Sequence, residues 1–70
     1  LDMVNAILNA FRSGERDRAE FWMNFKGRFL YITYHAVRDE AGRYLGTLEM
    51  TMDATRVRSL EGERRLLDWS

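Results

Sequence analysis

The sequence predicts an α+β fold in the order helix, three-stranded antiparallel meander, C-terminal helix. Three observations carry this. Apolar residues recur at helical spacing near the start of the chain, at Val4, Ile7, Leu8 and Phe11. Residues 19–53 are dense in aromatic and β-branched types and alternate apolar with polar side chains over their first part. Two glycine-bearing turns, Lys26-Gly27 and Asp39-Glu40-Ala41-Gly42, divide that stretch into pieces of strand length.

Residues 1–12 read as the first helix. Arg12 suits the negative end of its dipole, and Gly14 can supply a left-handed cap. Glu15, Arg16, Asp17 and Arg18 form a solvated charged connector. The first strand is expected over 19–25, where Ala19, Phe21, Met23 and Phe25 alternate with Glu20, Trp22 and Asn24. Gly27 is free to take the positive φ that a two-residue hairpin turn requires. The second strand follows over 28–38 and the third over 44–52. Thr55 is a plausible N-cap for a second helix over 55–69. Its apolar positions, Val57, Leu60, Leu66, Leu67 and Trp69, are sparse, and Gly62 interrupts it at a cost of about 1 kcal/mol relative to Ala.

Hairpin geometry assigns the faces. Pairing Phe25 with Arg28 sets Met23 against Leu30, Phe21 against Ile32 and Ala19 against Tyr34. Pairing Arg38 with Arg43 sets Ala36 against Leu45, Tyr34 against Thr47, Ile32 against Glu49 and Leu30 against Thr51. The first face then carries these residues. The second carries Trp22, Phe29, Tyr31, Thr33, His35, Val37, Tyr44, Leu48, Met50 and Met52. Both faces are apolar, whereas an antiparallel sheet in a small monomer normally leaves one face polar. The sheet also has two unpaired edges. A homodimer or larger assembly is therefore expected, with Trp22, Phe29, Tyr31, Leu48, Met50, Met52, Leu66 and Trp69 at the interface. For a lone chain, hydrophobic burial worth about 110 kcal/mol meets an ordering cost of about 105 kcal/mol.

Composition narrows the function classes. The chain has 70 residues, one domain or part of one, and starting at Leu1 points to a cut fragment. Eleven basic and eleven acidic residues cancel, so there is no general electrostatic pull on nucleic acid or anionic membrane. No apolar run approaches a membrane span, no signal peptide is visible, and the expected location is cytoplasmic. There is no cysteine and one histidine, so no metal site is expected. No phosphate loop, nucleophile–base pair or carboxylate pair with a positioned base is present, and no catalytic residue is assigned.

The segment from Trp22 to Thr55 resembles the C-terminal half of a PAS domain. The resemblance rests on Lys26-Gly27-Arg28-Phe29, on Val37-Arg38-Asp39-Glu40-Ala41-Gly42, on Leu45-Gly46 and on the closing Asp53-Ala54-Thr55. A narrower resemblance is to the PAS-like domain of bacterial and archaeal proteins that carry a hemerythrin-like domain. Ala19-Glu20-Phe21-Trp22, Tyr34-His35-Ala36-Val37-Arg38-Asp39, Tyr44-Leu45-Gly46-Thr47-Leu48-Glu49 and the stretch from Leu60 to Trp69 carry it. The resemblance implies a truncated PAS-like fold. Residues 1–12 would be the long helix crossing the sheet, and residues 55–69 the output helix. The first two strands and the short helices of a full PAS domain, which wall half its ligand cavity, lie outside the 70 residues.

The implied role is a non-catalytic sensory or interaction module in signal transduction, binding a small ligand, mediating dimerisation, or both, attached to a signalling or hemerythrin-like domain. Two other readings stand beside it: a purely structural homodimerisation domain, and a small-molecule enzyme using Glu49. Glu49 lies mid-strand on the face that would line the cavity. It is either satisfied by Tyr34, Thr51 or an arginine, or it contacts ligand together with Tyr34, Thr47, Thr51, Ile32 and Met23. The ligand stays unnamed. Haem-binding relatives use a histidine on the preceding helix, where this chain has none, and no cysteine is present for a flavin adduct. His35 reads as a packed or interface residue rather than a metal ligand or proton sensor. Trp22, Phe29, Tyr31 and Tyr44 lack the surrounding positive charge of a nucleic-acid platform and read as core or interface.

Overall fold

A computed structural model describes residues 2–66 of the chain. Helix α1 spans Asp2–Arg12, with Asp2 in its first turn and Arg12 in its last, each favourable to the helix dipole. It ends as the sequence predicts. Gly14 sits at φ 81°, the Gly14 N–H reaches the Phe11 carbonyl at 3.2 Å, and the Glu15 N–H reaches the Ala10 carbonyl at 3.0 Å. This paired arrangement is a Schellman cap.

Strands β1 (Arg18–Phe25), β2 (Arg28–Arg38) and β3 (Tyr44–Asp53) form one antiparallel sheet in the order β1-β2-β3. Lys26 at φ 50° and Gly27 at φ 79° make the tight turn whose twist matches the flanking strands. The β1–β2 register runs from Phe25↔Arg28 through Ala19↔Tyr34 to Arg18↔His35, as expected from the hairpin.

The β2–β3 register differs from the sequence expectation by two residues. Ala36 faces Thr47, Tyr34 faces Glu49, Ile32 faces Thr51 and Leu30 faces Asp53. The cause lies in the turn. The Asp39 carboxylate accepts the backbone N–H groups of Ala41 and Arg43, each at 2.9 Å, and the Asp39 N–H donates to the Arg43 carbonyl at 3.0 Å. Arg43 is thereby held in the turn. Arg38 pairs with Tyr44 instead, Val37 with Gly46, and Leu45 is left as the extra residue of a bulge. A shift of two keeps every side chain on its face, so Thr47, Glu49 and Thr51 stay where the alternation put them. Leu45 does not; it is 65% exposed.

Helix α2 is one turn, Thr55–Arg58, and not the long helix expected over 55–69. Residues 59–66 are not helical, Gly62 stands at φ 69°, and Leu66 is exposed. Trp69, with the rest of the expected helix end, lies outside the described residues. The scattered apolar positions give this segment no continuous stripe to bury, and isolated short helices are marginal in water. Ala54, not Thr55, is the N-cap residue.

The interior is small. Among the described residues only Phe11, Ile32, Ala54 and Thr33 are buried, and Phe11 alone is fully enclosed. The radius of gyration is 16.6 Å, against about 11 Å for a compact chain of this length. The molecule exposes 6225 Å², where a compact monomer of its mass exposes roughly 4,600 Å².

Candidate functional site

Period-two alternation and the observed register place Ala19, Phe21, Met23, Leu30, Ile32, Tyr34, Ala36, Thr47, Glu49 and Thr51 on one face of the sheet, here the inner face. Arg38 continues the Ile32–Tyr34–Ala36 row and ties α1 to the sheet. Its guanidinium donates to the Phe11 carbonyl at 2.8 Å and the Arg16 carbonyl at 3.2 Å, and pairs with Asp17 at 3.0 Å. The Ala36 N–H adds a bond to the Asp17 carbonyl at 2.9 Å. The residues 15–18, expected as a solvated connector, are in part this joint, and Arg18 already belongs to β1.

All six residues proposed for ligand contact, Glu49, Tyr34, Thr47, Thr51, Ile32 and Met23, therefore share the inner face. Ile32 is buried at its centre, and Tyr34 and Thr47 are half-buried. Tyr34 packs edge-on against Phe21, with ring centroids 5.8 Å apart and planes at 85°. Thr51 donates its hydroxyl to Glu49 at 3.0 Å, one of the partners anticipated for that carboxylate. Glu49 is exposed, not buried, so it carries no desolvation problem in this chain. Tyr44 was expected on the opposite face. The bulge turns it so that its hydroxyl meets the Thr47 hydroxyl at 2.5 Å.

An open cleft of about 370 Å³ lies between α1 and the start of β1, walled by Met3, Ala6, Ile7, Ala10, Phe11 and Ala19, with Arg16, Arg18 and Glu20 at its rim. None of the six proposed contact residues lines it. Sequence periodicity marks Ile7 and Phe11 as part of a helix stripe, but nothing in the sequence shows that they share a cleft with Ala19 at the start of β1.

The opposite, outer face carries Trp22, Phe29, Tyr31, Thr33, His35, Val37, Leu48, Met50 and Met52. Trp22, Tyr31 and Met52 form one cross-strand row, and Met50 follows beside Thr33. Trp22 is 59%, Met50 57%, Leu48 52% and Met52 46% exposed. At one margin Arg18 donates to the Tyr31 hydroxyl at 3.1 Å, and Tyr31 donates to Glu20. The Tyr31 hydrogen bond, with that of Arg18, holds the Glu20 carboxyl below its ordinary range. At the other margin the Arg58 guanidinium lies over the Phe29 ring, 4.1 Å from its centroid. Neither cluster was singled out from the sequence. Both join residues from different strands or from a strand and a helix, so no local spacing reveals them.

The sheet passes into α2 through Asp53 and Thr55. The Asp53 carboxylate accepts the Thr55 hydroxyl at 2.6 Å and the Thr55 N–H at 3.0 Å, while Arg28 pairs with it at 3.2 Å. These bonds, the Thr55 hydroxyl foremost, lower the Asp53 pKa. The Thr55 oxygen in turn accepts the Phe29 N–H at 2.8 Å, and the Ala54 N–H reaches the Phe29 carbonyl at 2.7 Å. Asp53 and Thr55 therefore do more than cap: they fasten the first residues of α2 to the start of β2.

Comparison with known proteins agrees with this architecture. A C-terminal domain from Streptococcus mutans, solved by crystallography, superposes with a TM-score of 0.76 at 37% identity. The match covers 86% of this chain and 46% of that one, so the chain spans about half the length of that relative. The curated proteins yield no match. A family model described as a PAS domain matches residues 1–55, from α1 through the sheet to Thr55. The chain belongs to the PAS domain family.

Proposed function

We propose that this chain is a non-catalytic sensory and interaction module in signal transduction. It holds a small ligand against the inner face and pairs with a second copy through the outer face. The observation that carries this is the two-sided apolar sheet. Ile32, Phe21 and Tyr34 back the inner face, while Trp22, Leu48, Met50 and Met52 stand half-exposed on the outer one. Membership of the PAS family supports the sensory role. The fastening of Asp53 and Thr55 to β2 supports a path from sheet to output, because a shift of the sheet strands must move the first turn of α2. We place the module in a cytoplasmic protein that also carries a signalling or hemerythrin-like domain, on the stretches that resemble hemerythrin-associated PAS domains.

Inner-face ligation is tested by native mass spectrometry of protein purified from cells, with a denatured extract as control. A small molecule retained in the native spectrum, and reduced in the Glu49→Gln variant, supports the sensor. An empty protein from several expression hosts overturns ligand sensing and leaves a structural dimerisation domain. Turnover of a small molecule that depends on Glu49 overturns the non-catalytic assignment.

A further inference from the structure

The cleft between α1 and the start of β1 is elongated and polarised. Met3, Ala6, Ile7 and Ala10 follow one another over two turns of α1, about 10 Å along its axis, and Ala19 closes the side formed by β1. These walls are apolar throughout. Alanine at positions 6, 10 and 19 leaves the space of about 370 Å³ unfilled, which lies within the range of small-molecule sites. The charged rim belongs to one end. The Arg16 N–H donates to the Ala10 carbonyl at 3.2 Å, so Arg16 stands at the Ala10 end of the trough and Met3 at the other.

Two of the three rim charges are committed to each other. Arg18 donates to the Glu20 carboxylate at 3.4 Å and to the Tyr31 hydroxyl at 3.1 Å, and Tyr31 donates to Glu20 in turn. Arg16 differs. Its backbone is fixed at both ends, by the bond to Ala10 and by the Arg38 guanidinium, which donates to the Arg16 carbonyl at 3.2 Å. Its own guanidinium meets no acceptor among the described residues. The rim therefore presents one uncommitted cation on an anchored backbone, at the end of an apolar trough. Its complement is an amphipathic monoanion. We propose that this cleft is a binding site for a medium-chain alkyl carboxylate, with the alkyl chain along α1 toward Met3 and the carboxylate accepting hydrogen bonds from the Arg16 guanidinium. The planar fork of a guanidinium matches a carboxylate in two parallel bonds. An alcohol of the same length loses that pairing, and an alkylamine meets a like charge. The site is separate from the inner-face ligand site, whose six residues lie elsewhere on the sheet.

Isothermal titration calorimetry of the full chain with octanoate tests this, and amide chemical shifts of the nitrogen-15-labelled chain locate the ligand. The expected result is saturable one-to-one binding, with shifts concentrated in residues 3–20. Going from hexanoate to octanoate should tighten it by up to about fourfold for each methylene buried. Octan-1-ol, and octanoate on the Arg16→Gln variant, should bind at least about tenfold more weakly. Ala6→Phe fills the trough and should remove binding while the amide spectrum stays dispersed. If that variant does not fold, Arg16→Gln, altered only at an exposed side chain, carries the test. Octanoate that fails to saturate, or that binds Arg16→Gln as tightly as the unaltered chain, overturns the proposal. Equal binding of octan-1-ol overturns it by showing apolar adsorption without anion recognition. Shifts confined to residues 30–36 and 47–51 overturn it by assigning the anion to the inner face, which leaves the proposed sensory role standing.

Discussion

Among the described residues Phe11 is the one side chain that the fold encloses completely, and its removal should be felt across the molecule. Truncating a fully buried phenylalanine to alanine costs about 3–5 kcal/mol, the transfer loss plus a cavity. A chain of this length has roughly 3.5–10 kcal/mol of stability in total. Phe11→Ala should therefore lower the thermal midpoint by at least about 12 °C. Phe25, 51% exposed at the end of β1, is the matched control. Its truncation removes half as much buried surface and should cost about 1.5 kcal/mol or less. Thermal unfolding followed by circular dichroism compares the two under one buffer condition. Equal shifts for Phe11→Ala and Phe25→Ala would refute the view that α1 is held on the sheet by this ring and by the Arg38 bond to its carbonyl.

Ile32→Asp places a charge at a position 8% exposed in the centre of the sheet and should abolish cooperative unfolding; a retained transition would show that the inner face is not core. Glu49→Gln should leave stability within about 0.5 kcal/mol, since Glu49 is exposed; a larger loss in chemical denaturation would mean the carboxylate is structural. Asp53 and Asp39 are both held below their ordinary values, Asp53 by the Thr55 hydroxyl first and Asp39 by the Arg43 N–H first. Their contribution to stability is therefore present above about pH 4 and lost as pH falls through their folded values. Asp53→Asn should reduce the stability difference between pH 7 and pH 3, and an unchanged difference in thermal melts would remove Asp53 from the acid response.

The fold was legible where local chemistry decides it. Gly14 and Lys26-Gly27 end an element at positions only a left-handed residue satisfies, and both ends lie where the sequence places them. The β1–β2 register follows, because a two-residue turn leaves no freedom. The β2–β3 register was not legible. It depends on the Asp39 carboxylate capturing two backbone N–H groups, which recruits Arg43 into the turn and forces the bulge at Leu45. The inner-face grouping survived because the slip was an even number of residues. The length of α2 was not legible: Thr55 offers a plausible start, but the sparse apolar positions Val57, Leu60 and Leu66 form no stripe to bury, and the helix ends at Arg58. Arg38 illustrates the limit for the site. The sequence marks it only as a strand-end residue, whereas it binds two carbonyls and a carboxylate brought together only by the tertiary fold.

The proposed pairing through the outer face is read out by molar mass, from light scattering at micromolar concentration. A folded chain should give twice the 8.3 kDa of a single copy. Met50→Lys, which puts a charge in the middle of that face, should return it toward one copy, whereas Glu63→Lys in the exposed 59–66 segment should not. A folded species that stays at 8.3 kDa as concentration rises would contradict the claim that a second copy covers the sheet.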